Sequence, residues 1–171
     1  MCLYIAYGLL ALMEKQEYAS ITIQQIVAKA GVNRSTYYRH FTSKEDVIRY
    51  YFHHVITEYL SECAQQNLTF SQYTVGFYQH FLKYKKQMLL IHKSGQSVLL
   101  HEVFRQLIAS NSQRCKTPLD LYKAQFQIGG TSNMFLYWFS RGMEDNAEDV
   151  AQYMLQLLPQ NYTPYLHSTS T

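Results

Sequence analysis

The sequence predicts an all-α chain, and three observations carry that expectation. Apolar residues recur three and four positions apart through most of the chain, the spacing of one helix face. Only 7 glycines and 3 prolines punctuate the 171 residues. No strand–turn–strand pattern and no internal repeat interrupts the helical periodicity. With 47% hydrophobic residues the chain can bury a sizeable core, so disorder is not the default.

The elements follow in order. In the opening MCLYIAYGLLALMEK, residues Ile5, Leu9, Leu10 and Met13 form a helical stripe. The apolar run is short and lacks a basic leader, which argues against an export signal. Thr22 and Gln25 stand three apart, as the two halves of a capping box do. Ile23, Ile26, Val27 and Ala30 continue at helical spacing, and Gly31 follows where a helix often ends in a left-handed residue. Val32 can plug the turn, and Asn33 is a good N-cap for a second short helix. Ser43 caps a third, with Asp46 three residues on. A long stripe then runs through Val47, Ile48, Tyr51, Phe52, Val55, Tyr59 and Leu60 to about Cys63. Residues 67–71 read as a loop. Phe70, Tyr73, Phe77, Phe81 and Tyr84 mark the next helix, and 88–92 a shorter one broken at Gly95. A helix resumes at 98–108, and residues 111–118 form a polar loop. Residues 119–141 make a long apolar helix ending at Gly142. Asn146 caps the last helix, with Val150, Tyr153, Met154, Leu157 and Leu158 on one face. Pro159 stops it, and the tail beyond frays.

Chemistry concentrates in residues 22–46. Helix, glycine turn, helix and a new helix fit within 25 residues, the layout of a helix-turn-helix. The middle helix, 34–41, is unusual. Tyr37 and Phe41, four apart, can face a core. Arg34, Ser35, Thr36, Tyr38, Arg39 and His40 remain for other faces, and their tips suit phosphate oxygens and base edges. No acid lies between Thr22 and Ser43. Residues 24–50 hold five basic residues against two acidic ones, a local excess equal to the +3 of the whole chain.

The segment resembles the DNA-binding domain of the TetR family of bacterial transcriptional regulators. The match is carried by Thr22, Ile26, Ala30-Gly31-Val32, Ser35-Thr36, Tyr38, Phe41 and Lys44. The resemblance implies a three-helix DNA-binding domain over 1–46, a connecting helix at 43–63, and a helical regulatory and dimerisation domain over 47–171. It implies DNA-binding roles for Thr22, Gln24, Asn33, Arg34, Ser35, Thr36, Tyr37, Tyr38, His40 and Lys44, with Tyr38 and Lys44 on phosphates. Arg34, at the first helical position, is the expected base reader. Such domains usually carry a basic arm ahead of the first helix, and no Lys or Arg precedes Lys15 here. The function implied is a ligand-responsive repressor that binds a palindromic operator in double-stranded DNA as a homodimer. The alternative is a TetR-like co-regulator acting through protein contacts with weak or no DNA binding.

In the second domain, 128–155 has the same family's look: a glycine pair inside a helix, an aromatic run, Gly142, then an acidic capped helix. Gly129 and Gly130 cost about 1 kcal/mol each relative to alanine in a helix, which a close backbone or ligand would offset. The resemblance places the dimer interface on the last two helices, and the residues expected there are Gly129, Gly130, Phe135, Val150, Met154 and Leu157. Sixteen tyrosines and nine phenylalanines supply apolar walls with hydroxyl tips. A small-molecule effector cavity beside the connecting helix is expected from Tyr59, Phe77, Phe81, Phe104, Phe126 and Trp138.

Other chemistries find no support. Cys2, Cys63 and Cys115 are scattered, with no CxxC, so neither a zinc cluster nor a disulfide framework is expected and a reducing cytoplasm is the simplest setting. His53, His54 and Glu58 share a helix, but no HExxH or Cys/His cluster accompanies them. No glycine-flanked serine, phosphate loop or Cys/His pair suggests an enzyme. No cofactor is expected. No apolar run reaches ~18 residues, so no membrane partner is expected.

Overall fold

A computed structural model describes residues 1–110 and 117–158, and among these residues every regular element is helical. Among the described residues nine α-helices follow in order: α1 Cys2–Met13, α2 Ile23–Ala30, α3 Arg34–His40, α4 Lys44–Cys63, α5 Phe70–Lys83, α6 Lys85–Lys93, α7 Leu99–Ser110, α8 Pro118–Ser140 and α9 Ala147–Leu157. Two 3-10 turns, Tyr18–Ser20 and Gln96–Val98, join α1 to α2 and α6 to α7. The expected polar loop lies largely, and Pro159 and the tail wholly, outside the described residues.

Local chemistry accounts for the boundaries. Thr22/Gln25, Ser43/Asp46, Thr69/Gln72 and Thr117/Asp120 are all reciprocal capping boxes, opening α2, α4, α5 and α8. Pro118 fills the first turn of α8, where its missing N–H costs nothing. Gly31 closes α2 at φ +67° and Gly142 follows α8 at φ +70°, both in the left-handed region. Asn146 caps α9 by accepting from the Glu148 amide at 2.8 Å. Two boundaries differ from expectation. The α5 helix begins at Phe70, because Thr69 caps it inside the expected loop, and α6 begins at Lys85 rather than Met88, with Tyr84 as the joint.

Packing makes one core from end to end of the described chain. α1 packs on α2, α4 and α6; α4 packs on α5 and α7; α5 packs on α9; and α8 packs on α6 and α7. The centre of the part built from α5–α9, called here the body, is aromatic: Phe135 stacks on Tyr78 with centroids 4.6 Å apart and meets Phe81 at 4.5 Å. The long α4 reaches both ends: Tyr51 meets Tyr7 of α1 at the end formed with α1–α3, called here the head, and Tyr59 meets Tyr73 and Phe77 of α5. No helix among the described residues is long and apolar enough to cross a membrane.

Candidate nucleic-acid interface

The head is built around a close approach of α1 and α2. A Cβ on Gly8 would lie 3.2 Å from the Ala30 Cβ and from the Ile26 carbonyl, so the glycine lets the two helices meet. Val32 sits half-buried against the core and its amide returns to the Val27 carbonyl at 3.0 Å, closing the turn as expected. α3 then leaves Asn33, whose side chain makes no cap hydrogen bond.

α3 divides sharply between two faces. Tyr37 is fully buried, and its hydroxyl donates to the Ser43 carbonyl at 2.8 Å. Burial, reinforced by Asp46 and Glu45, pushes its phenol up to about 12. This corrects the expectation that Tyr37 reaches DNA: ring and hydroxyl are both committed to fixing α3 against the start of α4. Phe41, also buried, completes the inner face. Asn33, Arg34, Ser35, Tyr38, Arg39 and His40 are exposed, Thr36 is half-buried, and Thr22 and Gln24 are exposed on the preceding segment. Arg34 Nη2 donates to the Tyr38 hydroxyl at 3.3 Å, and its guanidinium lies 5.5 Å from that ring's centroid. Arg39, exposed beside them, adds a cation that the expected site did not include.

Lys44 differs from expectation. Its ammonium donates to the carbonyls of Tyr18 at 2.8 Å, Ala19 at 3.4 Å and Ile21 at 2.8 Å, and sits 4.5 Å from the Tyr18 ring centroid. All three of its protons are engaged, so in the DNA-free chain it staples the α1–α2 connection to α4 rather than facing outward. Tyr18 reinforces the staple by donating to Glu45 Oε1 at 2.8 Å. Burial works against ionised Glu45, yet this bond and those from its own amide and Ser43 outweigh it and hold the carboxyl below its usual range. Asp46 behaves alike. Burial opposes its charge, but the Thr42 hydroxyl and the Thr42 and Ser43 amides lower it. Arg49 joins Asp46 at 3.1 Å to Glu102 of α7 at 2.7 Å, linking the cap of α4 to the body.

The body holds a cavity between α5, α7, α8 and α9. Of the six residues expected around an effector, Phe77 and Phe104 line this cavity. Tyr59, Phe81 and Trp138 do not: they are packed into the core, where Tyr59 donates to the Tyr73 carbonyl at 2.5 Å and Trp138 to the Asp145 carbonyl at 3.0 Å. Phe126 is the plainest correction, being 75% exposed on the outer side of α8. No described lining residue belongs to α4, so the cavity stands one helix away from it. The lining residues that sequence reasoning missed include Gln127, Thr131 and Thr74; nothing in their types distinguishes them from surface polar residues.

The expected dimer residues also divide. Phe135 is completely buried inside the subunit, and Val150 and Met154 are buried within it, Met154 accepting from the Tyr78 hydroxyl at 3.2 Å. These three are therefore core residues. Leu157 is exposed, and Cβ atoms on Gly129 or Gly130 would meet nothing within 4 Å. The glycine pair answers no packing need within the described chain. On the same helix Tyr122, Phe126 and Tyr137 expose apolar rings, as does Tyr153 on α9. Among the described residues no His/Cys/Asp/Glu group has metal-binding geometry.

The head is a helix-turn-helix DNA-binding domain of the kind found in bacterial transcription regulators. Within it, residues 8–51 match the model of bacterial regulatory proteins, tetR family. A 38-residue stretch is 45% identical to the HTH-type transcriptional regulator YxbF of Bacillus subtilis (strain 168), covering 22% of this chain and 10% of that relative. The chain thus matches only about a tenth of that relative's length. The crystal structure of the TetR family repressor AlkX from Dietzia sp. strain DQ12-45-1b, implicated in biodegradation of n-alkanes, aligns over 91% of this chain and 92% of its own at 15% identity and a TM-score of 0.47.

Proposed function

We propose that the chain is a sequence-specific DNA-binding repressor that acts as a homodimer and responds to a small molecule held in its body. The observation that carries this reading is the two-faced α3. Its inner face is locked by Tyr37 and Phe41, while its outer face offers guanidinium, hydroxyl and imidazole groups and no acid. A rigid helix with such a face suits the major groove. Arg34 reads a base, guanine being the best bidentate partner. Ser35, Thr36, Tyr38, Arg39 and His40 serve phosphates and further base edges, with Thr22, Gln24 and Asn33 flanking. A two-fold dimer through the outer faces of α8 and α9 spaces two α3 helices about 34–36 Å apart, which calls for a palindromic operator. The residues supporting that contact are Gly129, Gly130 and Leu157, joined by Tyr122, Phe126, Tyr137 and Tyr153. Effector binding in the body reaches the head through α7 and the Glu102–Arg49–Asp46 chain, provided the ligand prefers one head spacing.

The test is selection from a random duplex library. The expected result is a palindromic consensus, with Arg34→Ala binding a relaxed consensus at about a 1–3 kcal/mol loss on the preferred sequence. Failure to enrich any sequence would overturn the reading and favour a regulator acting through protein contacts.

A further inference from the structure

We infer that the body cavity selects a compact, neutral and mainly apolar molecule carrying a single hydroxyl or N–H donor, which is oriented by Gln127. The inference rests on the reading of the body as a ligand-responsive unit and names the chemistry that unit takes. Three features of the cavity lead to it. Its walls are Phe70, Phe77, Phe104, Ile108, Ile128 and Met154, and no described lining residue carries a charge. An ionised ligand would lose its hydration there without a counter-charge, so charged ligands are rejected. The space is about 40 Å³, room for only a few water-sized groups. Met154, unbranched and flexible, is the wall most able to yield to a ring.

The third feature sets the polarity. The Gln127 side-chain oxygen is buried and has no hydrogen-bond partner among the described residues, although Gln127 lines the cavity. A buried acceptor without a partner is costly, and a ligand donor placed against it recovers that cost. Thr74, the neighbouring polar wall, is already committed, its hydroxyl donating to the Phe70 carbonyl at 2.9 Å. The recognition is therefore asymmetric: apolar contact on most sides, with the Gln127 acceptor on α8 at a polar edge that also holds Thr131 of α8 and Tyr73 of α5. Because the cavity touches the inner sides of α8 and α9, whose outer sides carry the proposed dimer contact, such a ligand bears on subunit arrangement as well as on α7.

Phenol and toluene, nearly equal in size and differing in one donor, are the probes. Their binding to the full chain is measured by the concentration dependence of the melting temperature and by titration calorimetry. Phenol is expected to bind about tenfold more tightly than toluene. In Gln127→Leu the order reverses, and toluene raises the melting temperature more than phenol does. Equal binding of the two by the wild type removes Gln127 as the selector, and binding of neither overturns the cavity as a ligand site. An unchanged preference in Gln127→Leu also overturns the assignment. Selection of a DNA consensus by the same protein is read separately, so either claim can fail while the other stands.

Discussion

Lys44 holds two parts of the head together through one ammonium. Three carbonyl acceptors from the α1–α2 connection and the Tyr18 ring surround it. Hydrogen bonds to a charged donor are worth more than neutral ones, but Lys44 is only half-buried and solvent competes. Lys44→Ala is therefore expected to lower stability by about 1–2 kcal/mol. It should weaken binding to every DNA sequence alike and leave the salt dependence of binding unchanged, because no phosphate contact is lost. A thermal melt with a salt titration checks this, and a slope flatter by about one ion would assign the ammonium to phosphate instead. At this scale the sequence marked residue types well and partners poorly. Spacing placed Tyr37 four residues from Phe41, and so on the inner face, but nothing in it announced that Ser43 would take the hydroxyl. The three carbonyls facing Lys44 come from a 3-10 turn and the residue just after it, which no periodicity signals.

Helix boundaries were legible wherever a side chain sets them, as at Thr22, Gly31, Ser43 and Asn146, and less so where a cap hides inside a polar run, as at Thr69 and Thr117. Contacts between helices were not legible, and Gly76 shows why. The α4–α5 contact depends on its missing side chain, since a Cβ there would sit 2.6 Å from the Tyr59 hydroxyl. In Gly76→Ala the gain in helix propensity, about 1 kcal/mol, opposes a clash costing about 1–3 kcal/mol. The single variant is expected to be less stable than wild type. In a Tyr59→Phe background the same change is expected to stabilise, because the clashing oxygen is gone. A double-mutant cycle by denaturant unfolding reads the reversal of sign. His80 is a second α4–α5 contact. It is almost wholly buried, its Nε2–H donates to the Val55 carbonyl at 2.9 Å, and Glu58, Glu62 and Lys83 lie around it. Burial, aided by Lys83 and opposed by the two glutamates, lowers its pKa below 6.5. The folded state therefore binds the proton less readily than the unfolded chain. The associated stability is full above pH 6.5 and is lost as pH falls towards the folded value. His80→Gln should flatten the decline in melting temperature below that pH, as a pH series of melts would show.

The all-α architecture was readable because helical periodicity is local. The functional faces of the body were not, because they depend on which side of α8 turns inward. Phe126 and Phe135 illustrate the difference: both are phenylalanines on one helix, yet the first is 75% exposed and the second completely buried. The sequence reading puts Phe126 in the cavity and Phe135 at the dimer contact; the packing of α8 instead turns Phe126 outward and sinks Phe135 into the core. The outer face now reads as Tyr122, Phe126, the Gly129–Gly130 pair and Tyr137, with Tyr153 and Leu157 on α9. So many exposed rings around a side-chain-free patch are unusual on a monomer and suit close helix approach across a two-fold axis. Phe126→Glu separates this reading from a role in folding. The ring is mostly solvated in one subunit, so the melting behaviour of the isolated subunit should change by no more than about 0.5 kcal/mol. Two buried glutamates facing each other across a dimer axis would instead be strongly repulsive. Sedimentation velocity at micromolar concentration is expected to show wild-type dimer and Phe126→Glu monomer. The monomer should bind a half-site duplex about as well as wild type but lose the gain that a full palindrome gives the dimer. If Phe126→Glu remains dimeric, the contact lies elsewhere on the chain and the spacing of the two α3 helices must be argued from another face.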